Sequence, residues 1–266
     1  MNTDPRRYLI LACEVLAREC YLCAAFSRNI VEVRLLEQTL HDLGAPRMSA
    51  ALQAALDAVD ASRYDAIGLA YGLCNNGIVG LRAPLPLVIP RAHDCITLLL
   101  GSKERYAEVF EKNPGTIYES SGWLEAIRYR KKNPRTSPLR YDPVIYQEYV
   151  EKYGPENADY LMETLEGLAH YSRLAFIHTP VGELPHLVEL AREQARERGW
   201  QFEEMEGKLR LLQAMMDGPP WDEKEFLVLP PGHSPAPSYG LDVLRPQPVR
   251  EEKPCHAIES AASNAS

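Results

Sequence analysis

Four apolar runs near the start of this chain, YLILA, IVEVRLLE, DAIGLAYGL and PLVIP, are separated by stretches such as MSAALQAALDAVDA whose apolar residues recur at helical spacing. Aliphatic runs of this length between amphipathic helices read as strands of a parallel sheet covered on both faces. That pattern fixes where chemistry can sit. The carboxyl ends of parallel strands line one edge of the sheet, so residues about eighty apart in sequence can meet there around one ion or substrate.

After PLVIP, Asp94 is a helix N-cap by residue type, ITLLLG and SKERYAEVFEK read as helical, and Asn113-Pro114-Gly115 stops them. Residues 115–172 change character. They are rich in Tyr and charge, and GWLEAIRYRKK, DPVIYQEYVEKYG and ENADYLMETLEGLAHY read as two or three helices. Strand-like RLAFIHT, WQFEEMEG and EFLVLPPG then alternate with helical LPHLVELAREQARERG and LRLLQAMMDG. The expected fold is α/β: two Rossmann-like three-layer halves with parallel sheets and a helical insertion between them. The segments are an N-terminal lobe over 1–114, a helical insertion or lid over 115–172, a C-terminal lobe over 173–244 and a disordered tail over 245–266, where no core pattern remains.

Composition narrows the partners. With 29 Lys+Arg against 37 Asp+Glu in 266 residues, the chain has no general attraction for nucleic acid or anionic lipid. The basic run RYRKKNPR has no interleaved aromatic platform and reads as a solvated loop. The N-terminal apolar stretch is broken by Glu14 and Arg18, which suits neither a signal segment nor a membrane span. A cytoplasmic protein with reduced thiols is expected, so its six cysteines are open to metal binding or catalysis.

Cys13, Cys74, His93 and Cys95 each fall where a strand-like run stops. Thiolate and imidazole donors suit tetrahedral zinc, and ligands scattered over several strand ends, unlike the close pairs of a zinc finger, suit a preformed functional site. The plainer reading of any one of these cysteines is a small buried packing residue. His93 can ligate metal or act as a general base, and Asp94 can orient it or cap the following helix. Arg91 has the forked geometry for a carboxylate or phosphate, against a plain surface ion pair. In YGLCNNGIVGL, Asn75 and Asn76 can take left-handed conformations that bring backbone N–H groups close to a substrate, though the loop matches no phosphate or dinucleotide fingerprint. His178, with Thr179 beside it, and His233 follow later strands and would face the cysteines as substrate-binding groups across a cleft between lobes. His41, His170, His186 and His256 lack such placement and read as surface residues; Cys20 and Cys23 read as helix packing, and Glu14 and Glu19 as helix-start acids.

The stretches ACEVLAREC, YGLCNNGIVGL, LVIPRAHDCITLLLGSKERY, NPGTIYESSGWLE and FLVLPPGHSPAPSYG together resemble the family catalogued as domain of unknown function 1638. The resemblance runs over about residues 8–244, with RAHDCITLLLGS its most specific block. It implies that Cys13, Cys74, His93, Asp94 and Cys95 are the positions to carry over. It also implies a setting beside corrinoid-dependent methyltransferases in one-carbon metabolism, with a corrinoid as an indirect cofactor.

Three functions are compatible with these residues. The first is a zinc-thiolate protein of one-carbon or corrinoid-linked metabolism that activates a thiol or water for methyl transfer. The second is a non-catalytic accessory protein that binds a corrinoid, a metal or a partner such as a corrinoid protein or methyltransferase, with the Tyr-rich helices of 141–171 as its docking surface. The third is a metal-free enzyme with Cys74 or Cys95 as nucleophile and His93 as base.

Overall fold

A computed structural model describes residues 4–129, 143–155, 157–158, 170–182, 184–240 and 242–249. The basic run beyond Tyr129, most of the third Tyr-rich helix and the tail from residue 250 lie outside them.

The apolar runs form strands where their composition places them. β1 (Arg7–Cys13), β2 (Ile30–Leu36), β3 (Ala66–Ala70) and β4 (Leu87–Pro90) lie parallel in the order β2-β1-β3-β4. Every residue from Tyr8 to Cys13, and all of β3 and β4, is buried, as a sheet covered on both faces requires. Among the covering helices, α2 (Ala45–Asp57) turns an apolar stripe inward through Met48, Leu52 and Leu56, while α1 (Ala17–Phe26) buries Glu19, Cys20 and Cys23. The next three helices are α3 (Cys95–Leu100), α4 (Lys103–Lys112) and α5 (Ser121–Tyr129).

A second parallel sheet has the order β5-β6-β7, built from β5 (Thr116–Ser120), β6 (Arg173–His178) and β7 (Gln201–Glu206). Between its strands lie α6 (Pro143–Tyr153), inside the Tyr-rich region, and α7 (Pro185–Glu197), which packs on β6 and β7. α8 (Arg210–Asp217) returns to the first sheet and packs against α1, β3 and β4. The molecule is a Rossmann-like α/β protein with a parallel-rich first sheet and a parallel second one.

The sheets do not follow the segment limits read from the sequence. β5 lies within 115–172 yet pairs with β6. β8 (Phe226–Leu229), expected in the C-terminal half, runs antiparallel to β4 and closes the first sheet, with Leu87 opposite Leu229. β9 (His233–Pro237) and β10 (Leu244–Pro248) form an antiparallel hairpin, so residues 245–248, expected to be disordered, are strand. Prolines masked these two strands in the sequence, because proline cannot donate to a ladder and survives only in small or edge pairings such as this one.

Ala175, Ile177 and Met205 of the second sheet join the core of β1, β3 and β4, while Leu174 and Phe176 pack with Leu187, Ala191 and Ala195 of α7 in a second cluster. At the junction of the two sheets a Cβ on Gly122 would lie 2.0 Å from the Val15 carbonyl oxygen, so the start of α5 rests directly on the segment after β1. Arg18 grips Glu125 there with two hydrogen bonds of 2.7 Å. Among the described residues, no helix is long and apolar enough to cross a membrane.

Candidate functional site

In the order β2-β1-β3-β4 the chain leaves β1 to one side for β2 and crosses back to the other for β3. The β1/β3 boundary is therefore the point where strand order reverses, and open α/β sheets bind ligands outside the carboxyl ends of their strands at such points. Cys13 ends β1, and Tyr71 and Cys74 follow β3 directly. His93, Asp94 and Cys95 follow β4, and His41 lies in the 3₁₀ turn after β2. Four adjacent strands thus deliver thiol, imidazole, phenol and carboxyl groups to one edge.

Close backbone contact sets this edge. Leu73 N–H donates to the Ala92 carbonyl at 2.8 Å and Cys74 N–H to the His93 carbonyl at 2.9 Å, tying the loop after β3 to the turn after β4. Gly72 permits it, since a Cβ there would come within 2.4 Å of Asp94 N. Cys74, Asn75 and Asn76 follow in left-handed conformation, with φ of 45°, 54° and 68°. Three consecutive non-glycine residues in this region store backbone strain, which concentrates where geometry is tied to function. Gly77 closes the turn by donating to the Cys74 carbonyl at 3.0 Å, and a Cβ on it would strike Met48 of α2.

Asp94 is the N-cap of α3. Its Oδ1 accepts from Ile96 N–H at 3.0 Å and Thr97 N–H at 3.3 Å, while its Oδ2 accepts from the Tyr106 hydroxyl at 3.1 Å. Burial raises its pKa above the ordinary carboxylate value despite these donors. Cys95 opens α3 and is partly buried, as is Cys74. Burial first, and the Asp94 charge second, push both thiols well above the usual thiol range, and each also feels the charge of Cys13. Cys13 is buried with its Sγ 3.7 Å from His41 Nε2, and the His41 ring stacks on Tyr71 with centroids 6.1 Å apart. Burial, then the neighbouring Cys13 and Cys74, raise the Tyr71 phenol above its ordinary value.

Among the described residues, no three His, Cys, Asp or Glu side chains stand together as one metal-holding group. Of the expected ligands, Cys13, Cys74 and Cys95 share this edge, where Cys74 and Cys95 pack against the apolar core and Cys13 Sγ meets His41. His93 is exposed and faces Tyr106, with ring centroids 6.3 Å apart.

The other expected contacts are dispersed. Arg91 directs its guanidinium to the Glu223 carbonyl at 2.7 Å, the Asp242 carbonyl at 2.9 Å and the Leu244 carbonyl, so it clamps the C-terminal hairpin to β4. His178 pairs with Glu204 at 2.9 Å on the second sheet and meets the Phe176 ring edge-on. Its neighbour Thr179 does reach across, donating to Glu19 on α1 at 2.7 Å. His233 begins β9 in the hairpin. Asn75 and Asn76 are exposed at the tip of the left-handed turn, beside Cys74.

Three residues of this edge were not singled out from the sequence. His41 follows β2 at a distance comparable to that of Cys74 from β3, so the strand-end argument applied to the thiols would have found it. Tyr106 is four residues before Phe110, an aromatic pair on one helix face. Tyr71 directly follows the β3 run.

The fold is that of a Rossmann-like α/β protein with thiol, imidazole and carboxyl side chains at the carboxyl ends of its parallel strands. The chain belongs to the family described as Protein of unknown function (DUF1638), which matches over residues 35–216. His41, Cys74, His93, Asp94 and Cys95 fall within the matched region; Cys13 and β8 lie outside it. No curated protein and no solved structure matches the chain.

Proposed function

We propose that this protein binds a soft metal ion, zinc by its donor set, at the carboxyl edge of the five-stranded sheet and acts there on a small molecule. The observation that carries this reading is the delivery of His41, Cys13, Cys74 and Cys95 by four neighbouring strands to one switch point. Sulfur and imidazole donors are those zinc prefers. The side chains as they stand do not close around an ion, so binding requires the thiols to turn toward one another. Bound zinc would supply a charge that ionises its thiol ligands and lowers the pKa of a bound water.

A metal-free thiolate nucleophile is the weaker reading. Burial and Asp94 keep Cys74 and Cys95 protonated at neutral pH, the reverse of what an unassisted nucleophile needs. A reaction in one-carbon or corrinoid-linked metabolism, with a corrinoid protein or methyltransferase as partner, rests on the family resemblance alone.

The test is metal analysis of anaerobically purified protein, with cobalt(II) reloading to read thiolate charge-transfer absorption. About one ion per chain is expected, lost in Cys74→Ala and Cys95→Ala and weakened in His41→Ala. Protein that carries no stoichiometric metal and shows no cobalt–thiolate band is not a thiolate metalloprotein.

A further inference from the structure

His93 lines a cavity of about 360 Å³ together with Lys103, Tyr106, Phe110 and Glu111 of α4 and with Gly240 and Val243 of the segment before β10. That volume lies within the range of small-molecule sites. Its lining includes a ladder of aromatic rings. The His93 and Tyr106 centroids are 6.3 Å apart and those of Tyr106 and Phe110 6.0 Å apart, the latter two rings nearly parallel at 28°. Phe110, also in the lining, remains 47 % exposed, a large apolar side chain left partly open. Val243, another lining residue, has φ 60°, an outlier for a β-branched residue and a mark of a segment shaped by its surroundings.

We infer that this cavity binds a flat nitrogen heterocycle, stacked on the ladder with an N–H directed to the Glu111 carboxylate. Aromatic faces in series favour a planar π-system over a saturated ring of equal size, and Glu111 provides an acceptor beside them. The inference deepens the reading given above, on which it rests for the position of the reacting edge. The ladder leads there directly, because the Tyr106 hydroxyl bonds to Asp94, the cap of the helix that Cys95 opens. A ring on Tyr106 therefore lies next to the His93–Cys95 turn.

The probes are riboflavin and adenine, with cyclohexylamine as the saturated control, titrated into the full chain and followed by saturation-transfer NMR and calorimetry. Saturable binding of at least one flat probe is expected, about tenfold weaker in Phe110→Ala and Tyr106→Leu, as loss of one stacked ring implies. Tyr106→Phe, which keeps the ring, should bind as the parent does, and so should Cys74→Ala, which removes a proposed metal ligand and leaves the cavity intact. The inference is overturned if neither flat probe binds below about 1 mM, if cyclohexylamine binds equally well, or if Phe110→Ala has no effect. Failure of the metal site alone would leave probe binding in Cys74→Ala and the parent unchanged.

Discussion

The Tyr106 hydroxyl donates to Asp94 Oδ2 at 3.1 Å while the other oxygen of the same carboxylate caps α3. One side chain thus fixes both the start of the helix that Cys95 opens and the aromatic side chain on α4. Replacing it by Ala removes a cap worth about 1 kcal/mol and a charge-assisted hydrogen bond, so Asp94→Ala should cost about 2–3 kcal/mol in urea denaturation. Tyr106→Phe should cost about 1 kcal/mol, and Asp94→Asn, which can still cap, should fall between it and the parent. If Asp94→Ala and Tyr106→Phe both lie within about 0.5 kcal/mol of the parent, the pair does not organise the turn.

Gly72 holds the loop after β3 against the turn after β4. A methyl group there meets backbone within 2.4 Å, whereas one on Gly80 meets nothing within 4 Å and carries only the strain of its φ of 79°. Gly72→Ala should therefore cost about 3 kcal/mol or more and Gly80→Ala about 1 kcal/mol, each by thermal or urea unfolding. Equal losses at the two positions would mean that the strand ends are not held in contact through Gly72.

Glu19 is buried on α1, with Oε1 bonded to Thr179 and, among the described residues, no hydrogen-bond partner for Oε2. Burial raises its pKa above the ordinary value of 4.5, so the folded protein holds this proton more tightly than the unfolded chain does. The linkage sign follows: its contribution is full below the unfolded pKa and declines as pH rises through the folded one. Glu19→Gln should gain in melting temperature relative to the parent as pH increases from about 4 to about 7. A difference that shrinks over that interval would show that the carboxylate form is the one the fold favours.

Much of this architecture is legible in the residues themselves. Aliphatic content placed β1, β3 and β4, and the break in each run placed Cys13, Cys74 and Cys95 at one edge. Asp94 as a cap and the left-handed bias of Asn75 and Asn76 followed from local chemistry, and both are seen. What stayed hidden depends on partners distant in sequence. TIYES is too short and polar to announce itself as a strand among charged helices, and it is defined by Arg173–Ile177 across the ladder. The fork of Arg91 could not be assigned before the carbonyls of Glu223, Asp242 and Leu244 were in place. Likewise, strand ends predict which residues gather but not which way their side chains turn, so the shared edge was legible and the contact between Cys13 and His41 was not.

The antiparallel β8 also governs the order in which the molecule can be completed. β4 pairs with β3 through Leu87 and Ile67, but its other edge meets β8, with Leu87 opposite Leu229, so that edge stays unpaired until Phe226–Leu229 have been synthesised. During translation the four parallel strands can assemble, but the apolar outer edge of β4 stays open, and open edges of this kind template pairing between chains. Contacts so distant in sequence also slow folding. The emerging chain is thus most vulnerable to aggregation in the interval between the synthesis of β4 and the arrival of Phe226–Leu229.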